Sequence, residues 1–296
     1  MITFSHLGGL GRLGNQLFQY AALRGLGLKN NYETKIPDPA SRLWHGQSCL
    51  LGNFNIESDF YTRESLSSIS QRYMEPSHMD YDENFFSIPD NTDLYGFFQS
   101  TLYFQGFEKQ IKTELAPKKE WIEQGNSIIE SIKSNNPQYK IISLHLRRGD
   151  NTDGSNPSAE LNNMYGENNN LDMNSFYGQY LLSAKNCFTS EKVKFVVFSG
   201  GSRASGNDNE SDIEWCQRNL LGEEYIFAEP QSAMIDFASI MACDGNIISH
   251  ISSFGWWAAY LNPSENKTVV APHNYHPDQP SFSYRRGFYP NTWRIV

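Results

Sequence analysis

The chain has 296 residues, enough for one large domain or two compact ones, with a net charge of −9 and 14% aromatic residues. That acidity argues against nucleic-acid binding and against a basic membrane-surface patch, so any phosphate site must be a local concentration of arginine. Four dispersed cysteines (Cys49, Cys187, Cys216, Cys243) lack metal-ligand spacing and read as free thiols of a reducing compartment rather than as structural zinc or bridges.

The start, Met1-Ile-Thr-Phe4, shows neither a basic region nor a long apolar one, so no signal peptide is expected. No apolar run approaches the roughly 18 residues a transmembrane segment needs. Thr3–Leu7 reads as a strand. Leu17, Tyr20, Ala21, Leu23, Arg24 and Leu28 then recur at near-helical spacing. Between them lies Gly8-Gly-Leu-Gly-Arg-Leu-Gly-Asn-Gln16. Its glycines let the backbone approach a ligand, and the helix start offers N–H groups to an anion. The same residues also suit a plain strand-to-helix turn, and they fit neither a Walker loop nor a dinucleotide fingerprint cleanly. Residues 29–138 alternate short apolar and polar pieces, such as Asp93–Gln99, without a clear period. The exception is Trp121–Lys133, an amphipathic helix closed by Asn135-Asn136-Pro137. In this region Asp80-Tyr81-Asp82 suits an Asp-x-Asp metal clamp or a surface turn; the lack of a preceding apolar strand favours the turn.

From Lys140 the pattern is regular. Lys140–Leu146 is a strand, followed by a polar segment, 151–170, long enough to be a lid or a mobile loop. Met173–Asn186 is a helix, Lys194–Ser199 an apolar strand and 200–211 a polar insert. Ile213–Leu220 is a helix with Asp212 as its N-cap. Glu224–Phe227, Asn246–Ser249 and Thr268–Ala271 are strands, with helices at Ala233–Cys243 and Phe254–Leu261 between them. Strands alternating with helices give parallel βαβ units, hence the α/β class.

The chemistry concentrates at two of these strand ends. His145-Leu-Arg-Arg-Gly-Asp150 follows a buried strand, and the carboxyl ends of such strands are where α/β sheets bind ligands. The rigid guanidinium fork suits phosphate oxygens, although a structural Arg148–Asp150 pair would use the same residues. Ser249-His-Ile-Ser-Ser-Phe-Gly-Trp-Trp-Ala-Ala259 places two serines at a helix start, where they suit a phosphate or simply cap the helix. Trp256 and Trp257 read as core.

Together, Arg12–Ala21, His145–Asp150, Ser211–Cys216, Ser252–Leu261 and the ending Phe288–Ile295 resemble the signature blocks of the inverting α-1,2-fucosyltransferases, in family order. The resemblance implies a GT-B-type glycosyltransferase, two Rossmann-like halves facing a cleft: residues 1–139 on the acceptor side and 140–296 binding GDP-fucose. It implies a hexosyltransferase that moves fucose to the 2-hydroxyl of a terminal galactose on a glycan, without a metal or other cofactor. Arg147 would meet the leaving diphosphate and His145 the guanosine. Gly14, Asn15 and Gln16 would meet the donor or acceptor, Ser252, Ser253 and Phe254 the phosphates, and Asp212 the guanine. No catalytic base or acceptor residue is identifiable. Gly255 stands where related sequences often carry serine. A cytoplasmic protein, at most peripheral to the inner face of the membrane, is expected. The alternatives are a fucosyltransferase of different acceptor or linkage, and a GDP-sugar-binding module without turnover.

Overall fold

A computed structural model of the protein describes residues 1–44, 47–77, 80–149, 170–200, 211–250, 252–273 and 286–296. Asp150, nearly all of segment 151–170 and nearly all of insert 200–211 lie outside them. The chain divides into two units, Met1–Lys118 with Arg285–Asn291, and Lys119–Tyr284 with Thr292–Val296.

In the first unit, β1 (Ile2–Thr3) leads through the glycine-rich turn into α1 (Leu13–Asn30). The strand is shorter than the sequence suggests because the Leu7 amide already turns back to the Phe4 carbonyl. Then come β2 (Thr34–Ile36), a small hairpin of β3 (Leu43–Trp44) and β4 (Gln47–Ser48), and β5 (Asp59–Phe60). The short helix α2 (Arg63–Ser67), β6 (Gln71–Met74), β7 (Thr92–Tyr95) and α3 (Glu108–Glu114) complete it. Its five-stranded sheet runs β5-β2-β1-β7-β6, all parallel. Helix α1 is buried along most of its length and lies so close to the 3-10 turn Thr101–Phe104 that a Cβ on Gly25 would stand 2.2 Å from the Tyr103 carbonyl. Tyr20 and Arg24 of α1 both donate to the buried Glu114 of α3 at 2.7 Å, so that carboxylate is satisfied by a hydroxyl and a guanidinium together.

The second unit begins with α4 (Lys119–Asn135), then β8 (Lys140–Leu146), α5 (Phe176–Asn186), β9 (Val193–Ser199), α6 (Asp212–Asn219) and β10 (Tyr225–Phe227). There follow α7 (Ala233–Ala242), β11 (Gly245–Ile247), α8 (Ser253–Leu261), β12 (Val269–Ala271) and β13 (Arg294–Ile295). The parallel sheet runs β10-β9-β8-β11-β12-β13. The expected boundary at 139/140 therefore moves to 118/119, because α4 packs on α7 and β8. There a Cβ on Gly125 would stand 2.5 Å from the Ala238 carbonyl carbon, so the helices approach at backbone distance. The C-terminal stretch, expected whole within the half 140–296, is also divided. The segment beginning at Arg285 joins the first unit, where Ser100 and Thr101 hydroxyls donate to the carbonyls of Arg286 and Gly287 at 2.9 and 2.8 Å.

Trp256 and Trp257 are fully buried, as the sequence suggests, and Trp256 stacks on Tyr260 with 4.8 Å between ring centroids. Among the described residues, no helix is long and apolar enough to cross a membrane.

Candidate active site

In the second sheet, the chain after β8 winds outward through β9 to β10, then returns to lay β11 on the other side of β8. The carboxyl ends of β8 and β11 thus flank the point where the winding direction reverses, the usual ligand position in such sheets. His145 and the two arginines leave β8 there, and Ser249 to Ser252 leave β11.

The two arginines part company. On extended backbone, successive side chains point to opposite sides. Arg148 turns inward and is 3% exposed. Its Nε lies 3.3 Å from Asp212 Oδ1 and its guanidinium sits 3.7 Å above the centre of the Trp215 ring. Arg148 thus takes part in an ion pair with Asp212, at the start of α6; Asp150, the partner the sequence suggested, lies outside the described residues. The second Asp212 oxygen accepts the Gly149 amide at 3.0 Å. Asp212, expected at a guanine, is thus committed to the β8 exit loop. It is not the N-cap of α6 either: Ser211 caps it, accepting from the Glu214 amide while Glu214 reaches back to the Ser211 amide.

Arg147 is half-buried as a residue at the sheet's carboxyl edge. Its backbone amide donates to Ser249 Oγ at 3.0 Å, tying the ends of β8 and β11 together, and its Nη1 reaches the Gly200 carbonyl after β9 at 3.4 Å. Its guanidinium is permanently charged, so this edge of the sheet carries a cation.

His145 lies beside it, 6% exposed, and its Nδ1 is 3.3 Å from Ser252 Oγ. Burial, with the neighbouring Arg147 charge second, lowers its pKa to about 3, so the ring is neutral at physiological pH. Ser252 also caps α8, accepting the Gly255 amide at 3.2 Å. Ser253 and Phe254 open the helix half-buried, and the Phe254 ring lies 5.7 Å from the His145 ring. The unusual Gly255 has a local cause: a Cβ there would stand 2.7 Å from His145 Nδ1. Sequence reasoning passed over Ser249 and Trp215 as contributors, although both sit inside segments it singled out.

Gly14, Asn15 and Gln16 lie in the first turn of α1, in the first unit. Gln16 is buried and its amide is spent on the fold: Nε2 donates to the Gly11 carbonyl at 3.1 Å, while Oε1 accepts from the Leu50 amide at 3.3 Å. Asn15 Oδ1 accepts from Gln99 at 2.7 Å. Gly11, at φ +82°, takes the left-handed conformation that glycine tolerates. Asp82 of the Asp80-Tyr81-Asp82 segment accepts from the Asn84 amide at 2.9 Å and from the Tyr73 hydroxyl, as a turn carboxylate does.

One further group of polar side chains, unmarked by any motif, stands at the carboxyl edge of the first sheet. The Ser5 hydroxyl donates to Asp93 Oδ2 at 2.7 Å and lies 3.1 Å from His6 Nδ1. Arg72 of β6 holds the same Asp93 oxygen at 2.8 Å.

A model of the family described as glycosyl transferase family 11 matches residues 8–295. The chain is 27% identical over 262 residues to a galactoside alpha-(1,2)-fucosyltransferase 1 of Leontocebus fuscicollis, covering 85% of this chain and 63% of that protein. It is 28% identical over 262 residues to the same-named protein of Mico humeralifer, with the same coverage. The chain thus spans 63% of the length of these curated relatives. A solved structure of POFUT1 in complex with GDP-fucose aligns with a TM-score of 0.50 at 12% identity, over 91% of this chain and 97% of that one. That likeness is one of fold, and the fold is of GT-B type: two units, each built on a parallel sheet.

Proposed function

The chain belongs to glycosyl transferase family 11, and from that premise we propose that it transfers L-fucose from GDP-β-L-fucose to the 2-hydroxyl of a terminal galactose on a glycan, with inversion to an α-1,2 linkage. Arg147, half-buried at the β8–β11 switch point with its backbone amide tied to Ser249, carries this reading. Transfer breaks the bond between the anomeric carbon and a β-phosphate oxygen. Negative charge grows on the departing diphosphate while positive charge grows on the sugar ring. A fixed guanidinium at the diphosphate stabilises the first of these more as the bond breaks than before it, which is the condition for catalysis rather than binding alone.

The other residues take supporting parts. The first-turn amides of α8 at Ser253 and Phe254 offer N–H groups to the phosphates. Ser252 holds that helix start and the His145 ring in register, and the neutral His145 lines the guanosine side. Gly14 and Asn15 are proposed contacts of the donor or acceptor, with Gln16 holding their turn. Asp212 supports Arg148 and Gly149, which shape the loop carrying Arg147. The arginine takes the place a divalent ion fills in other glycosyltransferases, so no metal is required. The galactose acceptor and the linkage follow the named activity of the primate relatives. A cytoplasmic place of action belongs to the same proposal and rests on the cysteine pattern.

The test is transfer from GDP-fucose to a panel of galactose-ended glycans in excess EDTA, with the product linkage read by NMR. The expected product is an α-1,2-fucosylated galactoside formed at an undiminished rate. A different linkage moves the proposal to another acceptor class. GDP binding with no transfer to any acceptor leaves a nucleotide-sugar-binding module in its place.

A further inference from the structure

The first unit holds a strained turn at the end of β7. Phe98 takes a left-handed φ of +51°, a conformation that costs a bulky residue free energy and persists only where its surroundings impose it. Here they do. The Phe98 ring is fully buried against Phe4, Phe85 and Tyr103, with 5.8, 5.5 and 5.2 Å between centroids. The carboxylate of Glu75, directly after β6, accepts the Phe97 amide at 2.7 Å and the Phe98 amide at 3.1 Å.

Two side chains tie this turn to the glycine-rich segment. Gln19 of α1, fully buried, donates its Nε2 to the Gly96 carbonyl at 3.1 Å and to the Leu10 carbonyl at 3.0 Å. Gln99, the residue after Phe98, donates its Nε2 to Asn15 Oδ1 at 2.7 Å. That bond fixes the sense of the Asn15 carboxamide. Its oxygen is engaged toward Gln99, so the NH2 group, with its two N–H donors, lies on the other side. It lies over Gly11, where a Cβ would stand 2.5 Å from Asn15 Nδ2, so glycine alone leaves the carboxamide this seat. Asn15 and Gln99 are both half-buried, and every residue named here belongs to the first unit.

We propose that Gln99 is a positioning residue: it holds the Asn15 carboxamide so that Nδ2 presents an N–H to an oxygen of the substrate, while the Phe98 turn, braced by Glu75, holds Gln99. The proposal deepens the reading of Asn15 as a contact of the donor or the acceptor, and rests on it. The strain then has a use, because a Phe98 relaxed to negative φ would carry the next residue, Gln99, off Asn15. A phosphate oxygen and a sugar oxygen both accept an N–H. A carboxamide turned the other way offers them a lone pair instead.

The test is a double-mutant cycle in the full chain, read by steady-state transfer from GDP-fucose to a galactose-ended glycan and by melting temperature. Gln99→Glu keeps the side-chain length but replaces the N–H donor by an acceptor, so the Asn15 carboxamide turns its NH2 group toward the new carboxylate. It should lower kcat/KM on the order of 10-fold, the scale of one hydrogen bond to the substrate, at an unchanged melting temperature. Gln99→Ala, which releases the carboxamide without reversing it, should lower kcat/KM by a smaller factor. In an Asn15→Ala background neither change at position 99 should cost anything further, because the group they orient is gone. A rise in the KM for GDP-fucose assigns the contacted oxygen to the donor, and a rise in the KM for the glycan assigns it to the acceptor; either supports the proposal. Wild-type kcat/KM in Gln99→Glu or in Asn15→Ala, or losses that multiply when the changes are combined, as a merely structural Gln99 would give, overturns it while transfer by wild type stands. A wild-type chain that moves no fucose overturns the functional reading and this proposal with it.

Discussion

Adjacent arginines with identical chemistry do different work here because the backbone turns one inward and the other to the sheet's edge. Arg148 is held by Asp212 and the Trp215 face, so replacing Asp212 by alanine should cost about 3 kcal/mol of stability, the scale for breaking a buried pair. Urea unfolding checks this; a loss below about 1 kcal/mol would mean the pair is replaceable by solvent. Gly255 is the second residue whose identity follows from one neighbour. Adding its methyl group, 2.7 Å from His145 Nδ1, should destabilise the protein by about 1–3 kcal/mol. The cost should shrink in Gly255→Ala combined with His145→Ala, because the two changes share one space. Additive losses would show that the ring is not what excludes a side chain there. Arg147, Ser252 and the glycine turn were visible in the sequence because residues near in the chain carry them. Asp212's true partner was not, since the Arg148–Asp212 and Ser5–Asp93 pairs join residues 64 and 88 positions apart.

At the scale of elements, the second unit was legible because its strands are long or buried. β8 buries six of its seven residues and β9 carries the continuous buried apolar run Phe195–Phe198, which is how a strand covered on both faces reads. The first unit was not, because its strands are two to four residues long and its edges are polar. Both residues of β5 are exposed, as are three of the four in β6, so neither has a periodic apolar face. The cap of α6 was misplaced by one residue because Ser211 and Asp212 are both good caps, and only the capping box with Glu214 chooses between them. The contact of α4 with α7 supplies an element-scale prediction. Gly125→Ala should favour the isolated helix by about 1 kcal/mol. In the folded chain its methyl group meets the Ala238 backbone at 2.5 Å, and backbone yields less readily than a side-chain tip. The clash should win, lowering the urea midpoint, whereas a raised midpoint would show that the helices separate freely.

For the molecule as a whole, acid stability should be set largely by buried histidines. His145 and His250 have pKa values lowered from 6.5 to about 3, by burial in both cases and by Arg147 in the first. Below pH 6.5 the unfolded chain binds protons at these sites that the folded chain refuses, so stability falls as pH drops toward 3, by about 1.4 kcal/mol per pH unit for each ring. Asp236 opposes this in part. Burial raises its pKa from 3.8 to about 6, so between those values the folded chain holds a proton the unfolded chain lacks, and acidification there favours folding. Two rings outweigh one carboxyl group, so the midpoint of urea unfolding should fall steadily from pH 6.5 to pH 4. A flat profile would mean that His145 and His250 ionise inside the fold. The claim on which the account turns is that Arg147 stabilises the departing diphosphate. It is tested most directly by the single-turnover rate of Arg147→Ala at saturating GDP-fucose and acceptor. The account predicts an unchanged melting temperature and a rate lowered on the order of 10²–10³-fold, the scale for removing one transition-state donor, with Arg147→Lys between the two. A folded alanine variant turning over at the wild-type rate would contradict it.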